Sequence, residues 1–466
     1  MDKNNNGIAR FLKKISKPFI RFYNRFMDGS LGTKMSHFVM GSGNVYHGQI
    51  IKGLIYFTIQ AGYALFMITC PKVNNTPLGY KAFINLITLG TEEGDIFTPA
   101  DNSMLMLLFG VVTIGITLMY LFAYNSNIKS SYKADQDIKN YGKVTSFKQD
   151  AKEMLGNRFY ITMLTPAALG AVVFTLLPTI FMILIAFTNY DKEHQAGLKL
   201  FDWVGFNNFT AFFTNPTGEI AARFLPVLAW TLIWAFFATF LNYYGGILLA
   251  LLINRKGLKG KKIFRAIFVL TIAIPQFVSL LAMRNLIGEY GPMQKILMDI
   301  GILSEPMSFL ANATNVWTAR IAIILINLWV GIPYSMLLAS GAIMNIPESL
   351  YEAARIDGAK KFTILRKITM PYIVFITTPY LISSFVGNIT SFNIIYLLTN
   401  GNPKVTGGYI AGGTDLLVTW LYKLTIDEQQ YNLGAVIGIL TFLITSIVTL
   451  VTYRRSKSYK EEDAFQ

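Results

Sequence analysis

Side chains suited to ligand recognition recur at helical spacing within three apolar stretches of this 466-residue chain. Asn327, Gly331 and Tyr334 follow an i, i+4, i+7 pattern, so they share one helix face. Ser384, Asn388 and Ser391 repeat it, as do Ile272, Gln276 and Ser279, with Gln276 beside Pro275. Trp329, Phe277, Phe385 and Phe392 stand close by. Neutral donors and acceptors beside flat apolar rings suit an uncharged, hydroxyl-rich ligand. Taken singly, these residues have a plainer reading as polar glue between helices. Three aligned faces near mid-helix favour a shared polar cavity.

The elements that must carry these faces are membrane helices. Hydrophobic residues make up 53% of the chain and charged residues 14%, against about 25% charged in soluble domains. Apolar runs of about 20 residues, each long enough to cross a bilayer, recur. The expected architecture is all-α and polytopic. Its eight spans are placed at residues 50–70, 104–124, 161–187, 224–253, 263–286, 316–344, 372–397 and 434–453. Most of the 41 lysines and arginines fall in the N-terminal arm, in the loops after spans two, four and six, and in the tail. That bias puts both termini in the cytoplasm. It also explains the net charge of +15 without nucleic acid.

The interior excludes several chemistries. No Asp or Glu lies within an expected span, which argues against ion coupling, since pumps and symporters place acids or histidines at depth. The single cysteine, Cys70, and the three histidines, His37, His47 and His194, form no metal-ligand spacing, and all four read as structural. Proline at 166, 178, 226, 275, 333 and 379 frees carbonyls within spans, a supporting sign of a wet cavity. In the basic N-terminal arm Ile8, Phe11, Leu12, Ile15 and Phe19 recur at helical spacing, which suits either a helix on the inner membrane surface or a disordered arm. Residues 1–160 are expected to form an appendage of arm, two spans and linker, and residues 161–466 a six-helix core.

Between spans six and seven, residues 345–371 are dense in charge yet patterned like two short helices. Pro347 suits a first helical turn, Gly358 a sharp bend, and Phe362, Leu365 and Ile368 a second amphipathic run that stops at Pro371. The shape is that of a rigid docking knob. Glu352-Ala353-Ala354, Asp357-Gly358-Ala359, Ile368 and Pro371 resemble the EAA loop of binding-protein-dependent ABC importer permeases. Over residues 225–455 the likeness is greatest to the larger permease subunit of maltose and maltodextrin importers. It rests on Trp329-Val330-Gly331-Ile332-Pro333-Tyr334, Leu397-Leu398-Thr399-Asn400-Gly401 and Thr414-Asp415-Leu416-Leu417-Val418.

The resemblance implies a non-enzymatic transport subunit of the cell membrane that imports an oligosaccharide by alternating access. Maltodextrin is the expected substrate and galacto-oligosaccharide the alternative; an ion-coupled sugar symporter is the reading from another class. Implied partners are a second permease, an ATPase dimer and an extracellular sugar-binding protein. No G-x-x-x-x-G-K-[ST] loop occurs, so ATP and Mg are expected to be used by the partner. Carried over by position, the sugar site would comprise Asn327, Gly331, Tyr334, Ser384, Asn388, Ser391 and Gln276. ATPase docking would fall to Glu352, Ala353, Ala354, Asp357, Gly358 and Ala359. Ile272, Gln276 and Ser391 depart from the family pattern. Enterobacterial relatives insert a large folded domain in the third outer segment, where this chain has only a short loop.

Overall fold

A computed structural model describes residues 5–92, 100–195, 199–214, 219–255, 257–312, 315–405 and 410–455. Lys3 of the basic arm, tail residues 456–466, and the side chains of Ile8, Phe11, Leu12 and Ile15 lie outside the described residues. Among the described residues seven helices are long and apolar enough to cross a membrane. They are Ile50–Thr69, Ser103–Tyr141, Phe159–Ile185, Ile220–Asn254, Val316–Met344, Lys361–Ile389 and Tyr431–Arg454. An eighth candidate, fifth in chain order, is the pair Lys261–Ala273 and Gln276–Asp299, bent by 94°. Among the described residues the only strands form a ribbon, Lys72–Val73 against Thr76–Pro77. Its turn residues Asn74 and Asn75 both have positive φ, as a two-residue hairpin requires.

Three boundaries differ from expectation for physical reasons. The second span runs on as one helix to Tyr141, because its charged continuation packs on its own neighbours. The fifth breaks at Ile274-Pro275, where Pro275 cannot donate an amide and Ile274 is extended. The seventh ends at Ile389, and a separate short helix, Asn393–Leu398, follows.

Contacts divide the chain into two compact units, one of Met1–Leu184 with Glu193–Trp203, the other of Ile185–Lys192 with Val204–Gln466. The first compact unit therefore takes in the third span, past residue 160. Within it the arm is helical over Asn5–Asp28, and Ser30–Gln49 folds onto the polar end of the second span. Asp135 accepts from the Ser30 amide at 2.6 Å and faces His47 at 3.6 Å. Asn127 accepts from the Gly41 amide at 2.8 Å and donates to the Ser36 carbonyl at 3.0 Å. His37 lies edge-on to Phe22 and Phe26, so His37 and His47 are both structural.

In the second unit the fourth and sixth spans meet through glycines. A Cβ on Gly245 would press Ile332, and one on Gly246 would overlap the backbone of Ser335 and Met336. Close approach buries Trp230, Trp234 and Ile323 toward one end, and Tyr243, Ile247 and Met336 with Ile373 of the seventh span toward the other. The loop after Pro403 is clamped over the first end. Arg223 donates to the Gly412 carbonyl and Arg320 to that of Gly413, both at 3.0 Å, and the Trp230 indole donates to Thr414 at 3.1 Å. The Arg320 guanidinium lies against both Trp230 and Trp317, 4.4 and 4.9 Å from their ring centres. Inside the loop Asp415, fully buried, pairs with Lys423 at 2.7 Å and accepts from the Gly412 amide.

That burial separates two ion pairs of nearly equal length. Lys52–Asp150, at 2.8 Å, is about a quarter exposed on both sides, and an exposed pair is worth at most about 1 kcal/mol. Removing one partner of a buried pair costs about 3–5 kcal/mol. Asp415→Ala should therefore lower the thermal unfolding midpoint of the purified chain clearly, whereas Asp150→Ala should shift it little; equal shifts would contradict the clamp.

Candidate functional site

The polar positions expected on the sixth span separate into different environments. Asn327 is buried, and its Nδ2 finds no hydrogen-bond partner among the described residues. Gly331 packs against Asn242 of the fourth span so closely that a Cβ would overlap its amide. Tyr334 is about half exposed and lies 5.5 Å from the Tyr380 ring of the seventh span. The Tyr380 hydroxyl is 3.2 Å from that of Ser335.

On the seventh span Asn388 donates to the buried Thr239 hydroxyl at 2.9 Å, and Ser384 is partly buried. Ser391 does not share their helical face. The helix has ended at Ile389, and the Ser391 amide closes a turn on the Asn388 carbonyl. The fifth segment corrects the expected pattern further. The break at Ile274-Pro275 separates Ile272 from Gln276 and Ser279, so the three form no common face. Gln276 opens the second half-helix and is exposed, whereas Ser279 is buried.

Sequence reasoning missed the fourth span. Thr239 and Asn242 sit three residues apart on it and touch the positions already named on the seventh and sixth. The buried Oδ1 of Asn242 also lacks a partner among the described residues. Each such orphaned group costs about 1–3 kcal/mol when nothing satisfies it. An amide inside an uncharged span was the available signal for Asn242; Thr239, surrounded by Ala238 and Phe240, offered none.

The charged stretch between spans six and seven is a bent pair of helices. Glu348–Ile356 follows Pro347, and Gly358 at φ 75° carries the bend, with the Ala359 amide donating to the Ala354 carbonyl at 2.9 Å. Space around Gly358 is open, so its backbone conformation, not crowding, selects glycine. Glu352, Ala353, Asp357 and Gly358 are exposed, and Ala354 and Ala359 partly so. Ile356 and Phe362 are 87% and 70% exposed, an apolar surface left open.

Pro371 does not stop the second run. A π-turn at Leu365–Thr369 carries the helix through, and Pro371 falls in the first turn after it, where a missing amide is tolerated. Lys361–Ile389 is consequently one helix. The Tyr351 hydroxyl, 3.1 Å from that of Thr369, ties the first short helix to that turn. The Tyr372 hydroxyl donates to the Asn345 carbonyl at the end of the sixth span.

A bundle of apolar helices with neutral buried amides and an exposed helical knob defines a multi-pass membrane permease. Comparison with known proteins carries this further. Residues 242–457 match the model of the binding-protein-dependent transport system inner membrane component. The galactooligosaccharides transport system permease protein GanP of Bacillus subtilis is 35% identical over 426 residues, which are 91% of this chain and 97% of that one. The maltodextrin transport system permease protein MalC of Streptococcus pneumoniae is 33% identical over 433 residues, 91% of this chain and 95% of that one. A crystal structure of a bacterial ABC transporter involved in the import of the acidic polysaccharide alginate shares the fold. Its TM-score is 0.54 at 23% identity, covering 65% of this chain and 96% of that one. The chain belongs to the binding-protein-dependent transport inner membrane component family and is a permease subunit of an ABC importer. Likeness to GanP and MalC leaves too little unmatched to exclude the first two spans, so it reaches beyond residues 225–455.

The contact of Gly331 with Asn242 is directly testable. Gly331→Ala should destabilise the purified chain by about 1–3 kcal/mol through overpacking. Adding Asn242→Ala should recover part of the lost unfolding midpoint, because it vacates the same space; additive losses would exclude this contact.

Proposed function

We propose that the chain forms half of the path by which an ATP-driven importer carries a neutral oligosaccharide across the cell membrane. Maltodextrin is the first candidate, in line with the relatives of that name. The galactooligosaccharide permease, at 35% identity over nine-tenths of the chain, supports a second reading within the same class. The observation that carries the proposal is that neutral amides are enclosed where three spans pack together. Asn242 and Asn327 each keep a buried polar atom unpaired, and Asn388 holds Thr239 beside them in the bundle. A sugar hydroxyl, at once donor and acceptor, could satisfy both kinds of orphan. Tyr334 and Gln276 are exposed on this chain alone, and a second permease subunit facing them would complete the walls. Ser384 borders the same path, while Ser391 and Gly331 contribute turn geometry and helix packing.

In this reading an extracellular binding protein delivers the sugar, and a pair of ATPase subunits supplies energy with ATP and Mg. Their docking surface is the exposed knob around Glu352, Ala353, Ala354, Asp357, Gly358 and Ala359. Both termini then lie in the cytoplasm with the knob, as the distribution of lysine and arginine requires. Because the knob continues into the seventh span, a displacement there tilts the helix that carries Ser384 and Asn388.

ATP hydrolysis by the reconstituted complex, stimulated by maltodextrins and by galacto-oligosaccharides in turn, tests the substrate. Asn388→Ala should abolish or redirect the stimulation, and an unchanged sugar profile would remove Asn388 from the path. Coupling has its own test. Gly358→Ala should assemble at a strain of about 1–2 kcal/mol, whereas Gly358→Pro, whose ring holds φ near −65°, should lose sugar-stimulated hydrolysis. Normal transport by the proline variant would refute the coupling role.

A further inference from the structure

Beside the N-terminal helix lies a cavity of about 560 Å³ that the transport reading does not use. Arg21 and Arg25 of that helix and Lys129 of the second span line it, together with Asn125, Phe19 and Phe22. None of the three cations has a carboxylate within ion-pair distance among the described residues, although Lys52, Lys139 and Arg158 of the same unit do. Three unneutralised cations around one concavity make an anion site. The concavity is held open by built contacts. Phe22 and Phe26 both lie edge-on to His37 at 5.1 Å, and the Tyr124 hydroxyl donates to the His37 carbonyl at 2.7 Å.

Position along the chain indicates which anion. Lys129 is the first charged residue after the uncharged run that begins at Ser103, so the cavity sits where the apolar part of the span ends. Phe19, Ile20 and Tyr23 leave large apolar surfaces exposed on the same helix, at 73%, 52% and 61%. A soluble anion has no use for them. A lipid has, since its phosphate would meet the cations while its acyl chains run along the aromatic and aliphatic side chains. We propose that this cavity binds the headgroup of an anionic glycerophospholipid and thereby pins the N-terminal helix to the membrane surface.

The test uses the full chain in detergent and native mass spectrometry with dioctanoyl phosphatidylglycerol, dioctanoyl phosphatidylcholine and inorganic phosphate as probes. Phosphatidylglycerol should bind saturably and phosphatidylcholine should not. At about fivefold per cation, the triple variant R21Q/R25Q/K129Q should weaken binding by more than tenfold. The variant K143Q/K148Q/K152Q removes the same charge elsewhere in the unit and should weaken it less than twofold. Lys129→Gln alone, at an exposed position, should weaken it about fivefold and serves if the triple variant does not fold. Equal weakening by the two triple variants, an unchanged affinity in Lys129→Gln, or equal binding of phosphatidylcholine would overturn the proposal. Inorganic phosphate bound as tightly as the lipid would assign the cavity to a soluble anion and overturn it too.

Discussion

The close approach of the fourth and sixth spans is the constraint on which the second unit depends. Gly245 and Gly246 on one helix and Gly331 on the other remove the side chains that would hold the backbones apart. In a bilayer, where lipid tails are as apolar as leucine, such packing replaces the hydrophobic drive between helices. Once the helices touch, Asn242 and Asn327 are enclosed and Trp230 and Trp234 are buried. Arg223 and Arg320 then come within reach of one loop. A larger residue at Gly246 would push on the backbone of the sixth span, and one at Gly331 on the buried amide of Asn242.

From that junction the two ends of the unit acquire different mechanical characters. At one, Arg223, Arg320 and Lys423 donate to backbone carbonyls, Asp415 accepts from the Gly412 amide, and Trp230 and Trp317 both lie against the Arg320 guanidinium. At the other, hydroxyl contacts from Tyr351 and Tyr372 tie the knob to its neighbours, and Ile356 and Phe362 are left bare. Rigid clamping at one end and open apolar surface at the other suit a helix pair moved from the knob side. The π-turn at Leu365–Thr369 makes the second arm of the knob and the seventh span one continuous helix.

Periodicity read one helix at a time reveals which residues share a face only while the helix stays intact. Asn327, Gly331 and Tyr334 do lie on one unbroken helix, yet in different surroundings. Periodicity failed for Ile272 and Gln276 because Pro275 redirects the chain, and for Ser391 because the helix stops two residues earlier. Pro275 was visible in the sequence, but a proline within a span can kink it or break it, and neighbours decide which. Pro371 shows the reverse case, a proline absorbed by a π-turn that no local pattern announces.

Composition, span placement and the charge-dense interruption at 345–371 were determined by the sequence itself, because bilayer thickness and backbone hydrogen bonding leave an apolar run of that length few options. Gly358 was equally legible, since a positive φ selects glycine through local sterics alone. Tertiary structure decided what depends on a second helix. It paired Thr239 with Asn388, set Asn242 against Gly331, and placed Arg320 over Trp230. These contacts join residues from 89 to 149 positions apart along the chain. No helical or strand period links such positions, and only the packing of whole helices brings them together.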